Sequence, residues 1–114
     1  MIGCGYTGIR LGRRLIERGL RVVGTSRKPD RPDLQSAGIE LLTGDLRDPG
    51  VLAAIRELNP SMVAYFVPPQ RSDDPLPLVL DAARNPALEA FVYASSSGVY
   101  GDRAGDWVDE TTPI

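Results

Sequence analysis

Two periods of hydrophobic and polar positions follow one another along this chain, and the switches between them mark its elements. From Thr7 to Arg18 the period is helical. Gly8, Gly12, Leu15 and Ile16 share one face, and Arg10, Arg13, Arg14, Glu17 and Arg18 share the other. Gly12 lies one turn beyond Gly8, so the inner face is flat enough to sit close on a sheet. Gly19 is placed to cap the C-terminus. The arginines read as a solvated face. Leu20–Thr25 is a short β-branched run that predicts a strand, ended by Ser26-Arg27-Lys28-Pro29. A short helix is expected around Pro32 to Ala37, closed by Gly38. Ile39–Thr43 then predicts another strand, with Gly44-Asp45-Leu46 as its exit loop.

Asp48-Pro49 opens the clearest helix of the chain. Asp48 stands as N-cap, Pro49 at the first helical position, and Leu52, Ile55 and Leu58 face inward. Met62–Val67 is a continuous apolar run ending in Pro68-Pro69, as suits a strand buried on both faces of a parallel sheet. Gln70 to Pro75 is loop, Leu76 to Arg84 helix, and Asn85-Pro86 ends that helix. Ala90–Ala94 is the last strand and leads into Ser95-Ser96-Ser97-Gly98-Val99-Tyr100-Gly101. Asp102 to Ile114 has no periodicity and reads as loop. Strands alternating with helices at this spacing imply right-handed βαβ units. The class is α/β: an open parallel sheet of about five strands, doubly wound with helices on both faces. The first strand is reduced to Met1-Ile2.

At 114 residues the chain holds one domain at most. Its 42% hydrophobic and 25% charged content is ordinary for a globular protein, which removes disorder as the default. A net charge of −2 makes no electrostatic case for nucleic acid or an anionic membrane. No apolar run approaches the roughly 18–20 residues of a membrane span. Cys4 is the only cysteine, so an internal disulfide is excluded and a reducing, cytoplasmic setting is expected. Histidine is absent, which excludes a Ser-His-Asp triad and a histidine-ligated metal; no metal site is expected.

The candidate chemistry sits where strands end. Gly3, Gly5 and Gly8 have the G-x-G-x-x-G spacing of a dinucleotide-binding turn. The first glycine permits the tight turn, the second lets the backbone approach a pyrophosphate, and the third lets the helix pack on the sheet. The helix, starting through Tyr6 and Thr7, then aims free N–H groups at the phosphates. In such a fold ligands bind at the carboxyl ends of the strands, so five exits are expected to converge. At the second exit, about 18–20 residues past the glycines, stand Ser26 and Arg27 rather than a carboxylate. A guanidinium matches a 2′-phosphate, which predicts NADP(H) over NAD(H); the structural alternative is a solvated basic turn. At the third exit Asp45 either accepts from an adenine amino group, with Leu46 over the ring, or only caps a turn. At the fifth, a serine hydroxyl can bond a substrate oxygen during hydride transfer, or the three serines are simply a polar turn.

Three stretches together resemble the extended short-chain dehydrogenase/reductases, and specifically the NAD(P)-dependent nucleotide-sugar epimerase/dehydratase family. They are Gly3-Cys4-Gly5-Tyr6-Thr7-Gly8, Gly44-Asp45-Leu46-Arg47-Asp48-Pro49 and Tyr93 through Asp102. Val108 to Pro113 also looks like the family's loop after the serine strand. The resemblance implies a Rossmann-type domain and makes Ser96 the catalytic serine, three residues before the Val of Val99-Tyr100-Gly101. Ser95 would lie on the cofactor, Asp45 and Leu46 on the adenine, and Val67 and Pro68 beside the ribose and nicotinamide. The implied chemistry is hydride transfer to or from a small molecule, of which a nucleotide sugar is one class. A homodimer is the assembly such a protein would form. The second reading is a non-catalytic NAD(P)-binding sensor or interaction module. Many members have Leu-Ala-Ala where this chain has Val67-Pro68-Pro69, the pattern of smaller relatives. The family's Tyr-x-x-x-Lys pair has no counterpart here: neither Tyr93 nor Tyr100 is followed by lysine at that spacing, and Lys28 is the only lysine. The expectation is therefore a cofactor-binding piece, truncated at both ends and without turnover of its own.

Overall fold

Backbone hydrogen bonds tie four short parallel strands and an N-terminal stub into the frame of the fold. The computed structural model describes residues 1–114. Strand β1 (Val23–Ser26) pairs in parallel with β2 (Glu40–Thr43), Gly24 beside Leu41 and Ser26 beside Thr43. Strand β3 (Met62–Tyr65) pairs in parallel with β4 (Ala90–Tyr93), Val63 beside Phe91. Between these two pairs lies the N-terminus. Ile2 N–H donates to the Ala64 carbonyl and its carbonyl accepts from Phe66 N–H, both at 2.8 Å. On its other side Met1 donates its ammonium to the Val23 carbonyl at 2.6 Å and accepts from Thr25 N–H at 2.9 Å. The order across the frame is thus β2, β1, stub, β3, β4. It contains four strands and a one-residue bridge, Ile2 to Tyr65, rather than five full strands. Beyond the stub β1 and β3 part, and Val22, Val23, Ile55, Met62, Ala64 and Val92 help line an apolar cavity of about 680 Å³.

Helices cover both faces. Helix α1 (Tyr6–Glu17) and α2 (Pro32–Ser36) bury one cluster around Cys4, Val22, Leu34, Ala37 and Ile39. Helices α3 (Pro49–Glu57) and α4 (Leu76–Ala83) bury the other, around Ile2, Val51, Ile55, Val63, Tyr65 and Val79. Ile2 and Cys4 belong to opposite clusters although they are two residues apart. Gly3, at φ +76°, turns the backbone between them.

Local chemistry explains most boundaries. Asp48 accepts from Gly50 N–H at 2.7 Å and so caps α3, as its sequence predicts. Helix α1 ends with Gly19 N–H on Ile16 and Leu20 N–H on Leu15, and α2 ends with Gly38 N–H on Gln35 and Ile39 N–H on Leu34. Both are Schellman endings that need a left-handed residue, and both glycines have φ near +80°, at +82° and +75°. Two expectations are corrected. In α3 the buried side chains are Val51 and Ile55, while Leu52 and Leu58 are half-buried. Strand β3 is not buried on both faces: Val63 and Tyr65 lie in the α3–α4 core, whereas Met62 faces the apolar cavity and is exposed. Within the serine exit, Ser97–Tyr100 forms one turn of 3-10 helix.

Candidate functional site

Three of the five strand exits meet in one cavity of about 520 Å³. It is lined by Gly3, Gly5, Tyr6, Thr7 and Gly8 from the glycine turn, Phe66, Pro68 and Pro69 after β3, and Ala94 to Ser97 after β4. The turn is built by its glycines in three different ways. Gly3 has a left-handed φ, and a Cβ on it would stand 2.8 Å from Val67 Cγ2 and 3.2 Å from the Val67 nitrogen. A Cβ on Gly5 would meet nothing within 4 Å, because that position faces open space. On Gly8 it would press on Cys4 Sγ at 3.3 Å. Thr25, buried at the end of β1, holds the turn from below by accepting the Gly3 N–H on Oγ1 at 2.9 Å.

Helix α1 starts at this turn with no side-chain cap and no acidic residue in its first turn. The N–H groups of Tyr6, Thr7 and Gly8 have no acceptor in the chain, the first helical bond being Ile9 N–H to the Gly5 carbonyl. Three free amides at the positive end of a twelve-residue helix are a receptor for an anionic group. A pyrophosphate fits this donor set and the open side of Gly5. Tyr6, 73% exposed, forms the rim and carries the Arg10 guanidinium over its ring at 4.3 Å.

The remaining predicted residues take other places. Val67 does not line the cavity; it packs on Gly3 and the α3–α4 cluster. Leu46 likewise packs against that cluster. Asp45 accepts from Arg47 N–H at 2.8 Å and from Arg47 Nη1 at 3.1 Å. Those bonds, with the charges of Arg47 and then Arg27, hold its carboxyl below the usual range. Arg47 also donates to Gln70 Oε1 and the Asp73 carbonyl, and pairs with the Asp73 carboxylate at 2.8 Å, which fastens the loop after β3 to the third exit. Ser26 belongs to β1 itself, and its hydroxyl accepts from Lys28 N–H at 3.1 Å and Arg31 Nη1 at 3.2 Å. Arg27 is exposed and makes no ion pair. Ser95 and Ser96 are exposed at the cavity mouth, and Ser96 Oγ accepts from Gly98 N–H at 3.2 Å as the cap of the 3-10 turn.

Sequence reasoning placed Thr25, Pro69 and Ser97 in the strand exits but did not find Phe66 and Ala94, or the guanidinium of Arg31. Phe66 and Ala94 follow directly on β3 and β4, so the strand-exit rule pointed at them. Nothing in the sequence marks Arg31, which stands five residues past Ser26 and folds back onto the turn.

A glycine-rich strand-to-helix turn, helices on both faces of a parallel frame, and a cavity across its strand ends define a Rossmann-type nucleotide-binding domain. The chain belongs to the NAD-dependent epimerase/dehydratase family, whose model matches residues 2–114. Among solved structures it is similar to a candidate NAD-dependent epimerase/dehydratase from Methylobacillus flagellatus, at 32% identity and a TM-score of 0.74 over 98% of this chain. A conserved protein of unknown function from Silicibacter pomeroyi is 34% identical, with a TM-score of 0.75 over 99% of this chain. A candidate epimerase from Burkholderia cenocepacia J2315 is 27% identical, with a TM-score of 0.76 over 98%. The chain spans 41%, 40% and 41% of those three proteins respectively. No significant match was found among curated proteins. No helix is long and apolar enough to cross a membrane.

Proposed function

We propose that the chain is the cofactor-binding part of an NADP(H)-dependent oxidoreductase, epimerase or dehydratase that acts by hydride transfer. The observation that carries this reading is the single cavity into which the glycine turn, the β3 exit and the serine exit all open, with three unspent amides of α1 at its floor. A bound nicotinamide cofactor would supply the hydride. The N–H groups of Tyr6, Thr7 and Gly8 would hold its pyrophosphate, and Pro68 and Ser95 would border its nicotinamide half. Ser96 keeps its hydroxyl proton, because its oxygen serves only as acceptor within the chain. It can therefore donate to a substrate carbonyl or alcohol at the cavity mouth. No base is bonded to it, so these 114 residues alone are expected to bind cofactor without turning substrate over. The substrate is a small molecule, with a nucleotide sugar as one class.

Preference for NADP(H) rests on the second exit, where Arg27 is unpaired and Ser26 stands beside it. Titration of the chain with NADPH and NADH, followed by cofactor fluorescence, is expected to show tighter binding of NADPH by about tenfold, the size of one charge-assisted contact. Arg27→Asp should abolish that preference. An unchanged preference in the variant would sink the assignment. The second reading, a non-catalytic binding module, is favoured by the cap bond that already employs the Ser96 oxygen. In the longer protein, Ser96→Ala would cut turnover and spare NADPH affinity if the enzyme reading holds, and change neither if the module reading holds.

A further inference from the structure

We propose that Arg47 is a positioning residue: its guanidinium clamps the loop after β3 and so fixes the Pro68-Pro69 wall of the cavity for the nicotinamide half of the cofactor. The inference rests on the cofactor reading and adds to it a residue that lines no part of the cavity.

The wall has little means of fixing itself. Pro68 and Pro69 line the cavity together with the glycine turn and the serine exit. Proline has no backbone N–H, so neither residue can donate to a neighbouring segment. Before them Val67 is anchored by its packing on Gly3. The first donor after them is Gln70 N–H, which Asp74 Oδ2 accepts at 3.0 Å. The other oxygen of Asp74 accepts from Leu76 N–H at 2.9 Å, at the start of α4. The Asp74 carboxylate thus closes the loop onto itself. The far end of the loop is anchored by the buried Pro75, whereas the Gln70 end, next to the wall, needs a tie from outside.

Arg47 makes that tie. Nη2 donates to Gln70 Oε1 at 2.8 Å and to the Asp73 carbonyl at 2.7 Å, and Nε donates to the same carbonyl at 3.0 Å. Nη1 donates to Asp45 Oδ1 at 3.1 Å, so one planar group spans the third strand exit and the loop. Beyond the bonds of Asp74 within the loop and to its end at Leu76, every hydrogen bond and ion pair from Gln70–Asp74 to the rest of the fold runs to Arg47. The carbonyl it holds belongs to Asp73, whose φ is +57°, a left-handed conformation that a residue with a Cβ keeps only when its surroundings hold it there. Charge acts in the same direction. Arg47 pairs with the Asp45 and Asp73 carboxylates at 3.1 and 2.8 Å. Backbone bonds from Leu76 and Gln70, and then the Arg47 charge, hold the Asp74 carboxyl below the usual range. Without the guanidinium, three carboxylates at the exit and the loop lose a shared counter-charge, and their repulsion favours an open loop.

The loop carries its own reporter, because Arg71 is exposed and trypsin cleaves after arginine. In the 114-residue chain, Arg47→Met is expected to speed the tryptic cut at Arg71–Ser72 by about tenfold, followed by mass spectrometry. Calorimetric titration with NADPH and with adenosine 5′-monophosphate, which lacks the nicotinamide half, gives the second readout. The variant should bind NADPH about five- to tenfold more weakly and the monophosphate within about twofold of the unaltered chain. Failure of the unaltered chain to bind NADPH would overturn the cofactor reading and the role that rests on it. With binding present, an unchanged NADPH affinity in the variant overturns the role of Arg47 and leaves the cofactor reading standing. Equal losses for the two ligands mark a general structural tie and overturn the role as well, as does a cut at Arg71 no faster than before. If Arg47→Met fails to fold, Gln70→Ala removes the bond nearest the wall and keeps both ion pairs. It should weaken NADPH binding by about threefold with monophosphate affinity kept, and an unaltered NADPH affinity would overturn the inference.

Discussion

Tyr65→Phe is expected to stabilise this protein. Tyr65 is 1% exposed in β3, and its ring stacks on Phe91 at 6.2 Å and Tyr93 at 5.7 Å between centroids. Its hydroxyl is buried without a hydrogen-bond partner. An unsatisfied buried polar group costs about 1–3 kcal/mol. Phenylalanine keeps the ring contacts and loses one oxygen, whose dispersion contacts amount to a few tenths of a kcal/mol. The net expectation is a gain of about 1 kcal/mol, or about 4 °C in Tm for a domain of this size. Thermal and urea unfolding at neutral pH, followed by far-UV circular dichroism, would read it. A second signature lies at high pH. Burial, with the nearby Asp74 and Tyr93, pushes the Tyr65 phenol from 10.0 up to about 12. The native state thus favours the neutral phenol. Stability from this group is complete below pH 10 and is lost as pH rises from 10 toward 12. The phenylalanine variant should lack that part of the alkaline slope. A fall in Tm of about 2 °C or more on substitution would refute the reasoning, because it would mean that the hydroxyl is paired and contributes.

The other expectations are shorter. Gly5→Ala should leave Tm within about 1 °C, since a Cβ there meets nothing and φ is −92°, yet it should weaken NADPH binding by tenfold or more, roughly, by obstructing the pyrophosphate. Gly3→Ala should cost at least about 2 kcal/mol in urea unfolding, from a left-handed φ of +76° and a 2.8 Å contact with Val67 Cγ2. Asp48→Ala removes the α3 cap and should cost about 1 kcal/mol by the same assay. The buried Met1 ammonium titrates below its ordinary 8.0 because desolvation disfavours its charge. The unfolded chain therefore holds this proton to higher pH than the folded one. Stability should rise as pH increases toward 8.0, and N-acetylation, which removes the charge and keeps an N–H, should flatten that rise.

The endings of α1 and α2 were legible because they depend on neighbours in sequence. Gly19 and Gly38 stand where a left-handed residue is required, and Asp48 stands where a first-turn N–H needs an acceptor. The glycine turn and the serine exit were legible for the same reason, and they do meet in one cavity. Asp45 and Val67 were read from the same strand-exit rule, but their neighbours are set by distant residues. Arg47 reaches both Asp45 and the loop at Gln70 and Asp73, while Val67 fills the space against Gly3. Neither contact leaves a pattern in local sequence.

The sequence by itself determined the alternation of elements, the helix caps and the glycine spacing, because short-range sterics and backbone hydrogen bonding decide them. Only the tertiary structure decided which loops share a cavity, how a two-residue stub joins two pairs of strands, and where the charges point. Arg27 and Arg31 look alike as letters four apart. One is exposed and unpaired, and the other is folded onto Cys4, Ser26 and Asp33, since the partners that fix a guanidinium come from segments the chain brings together only on folding.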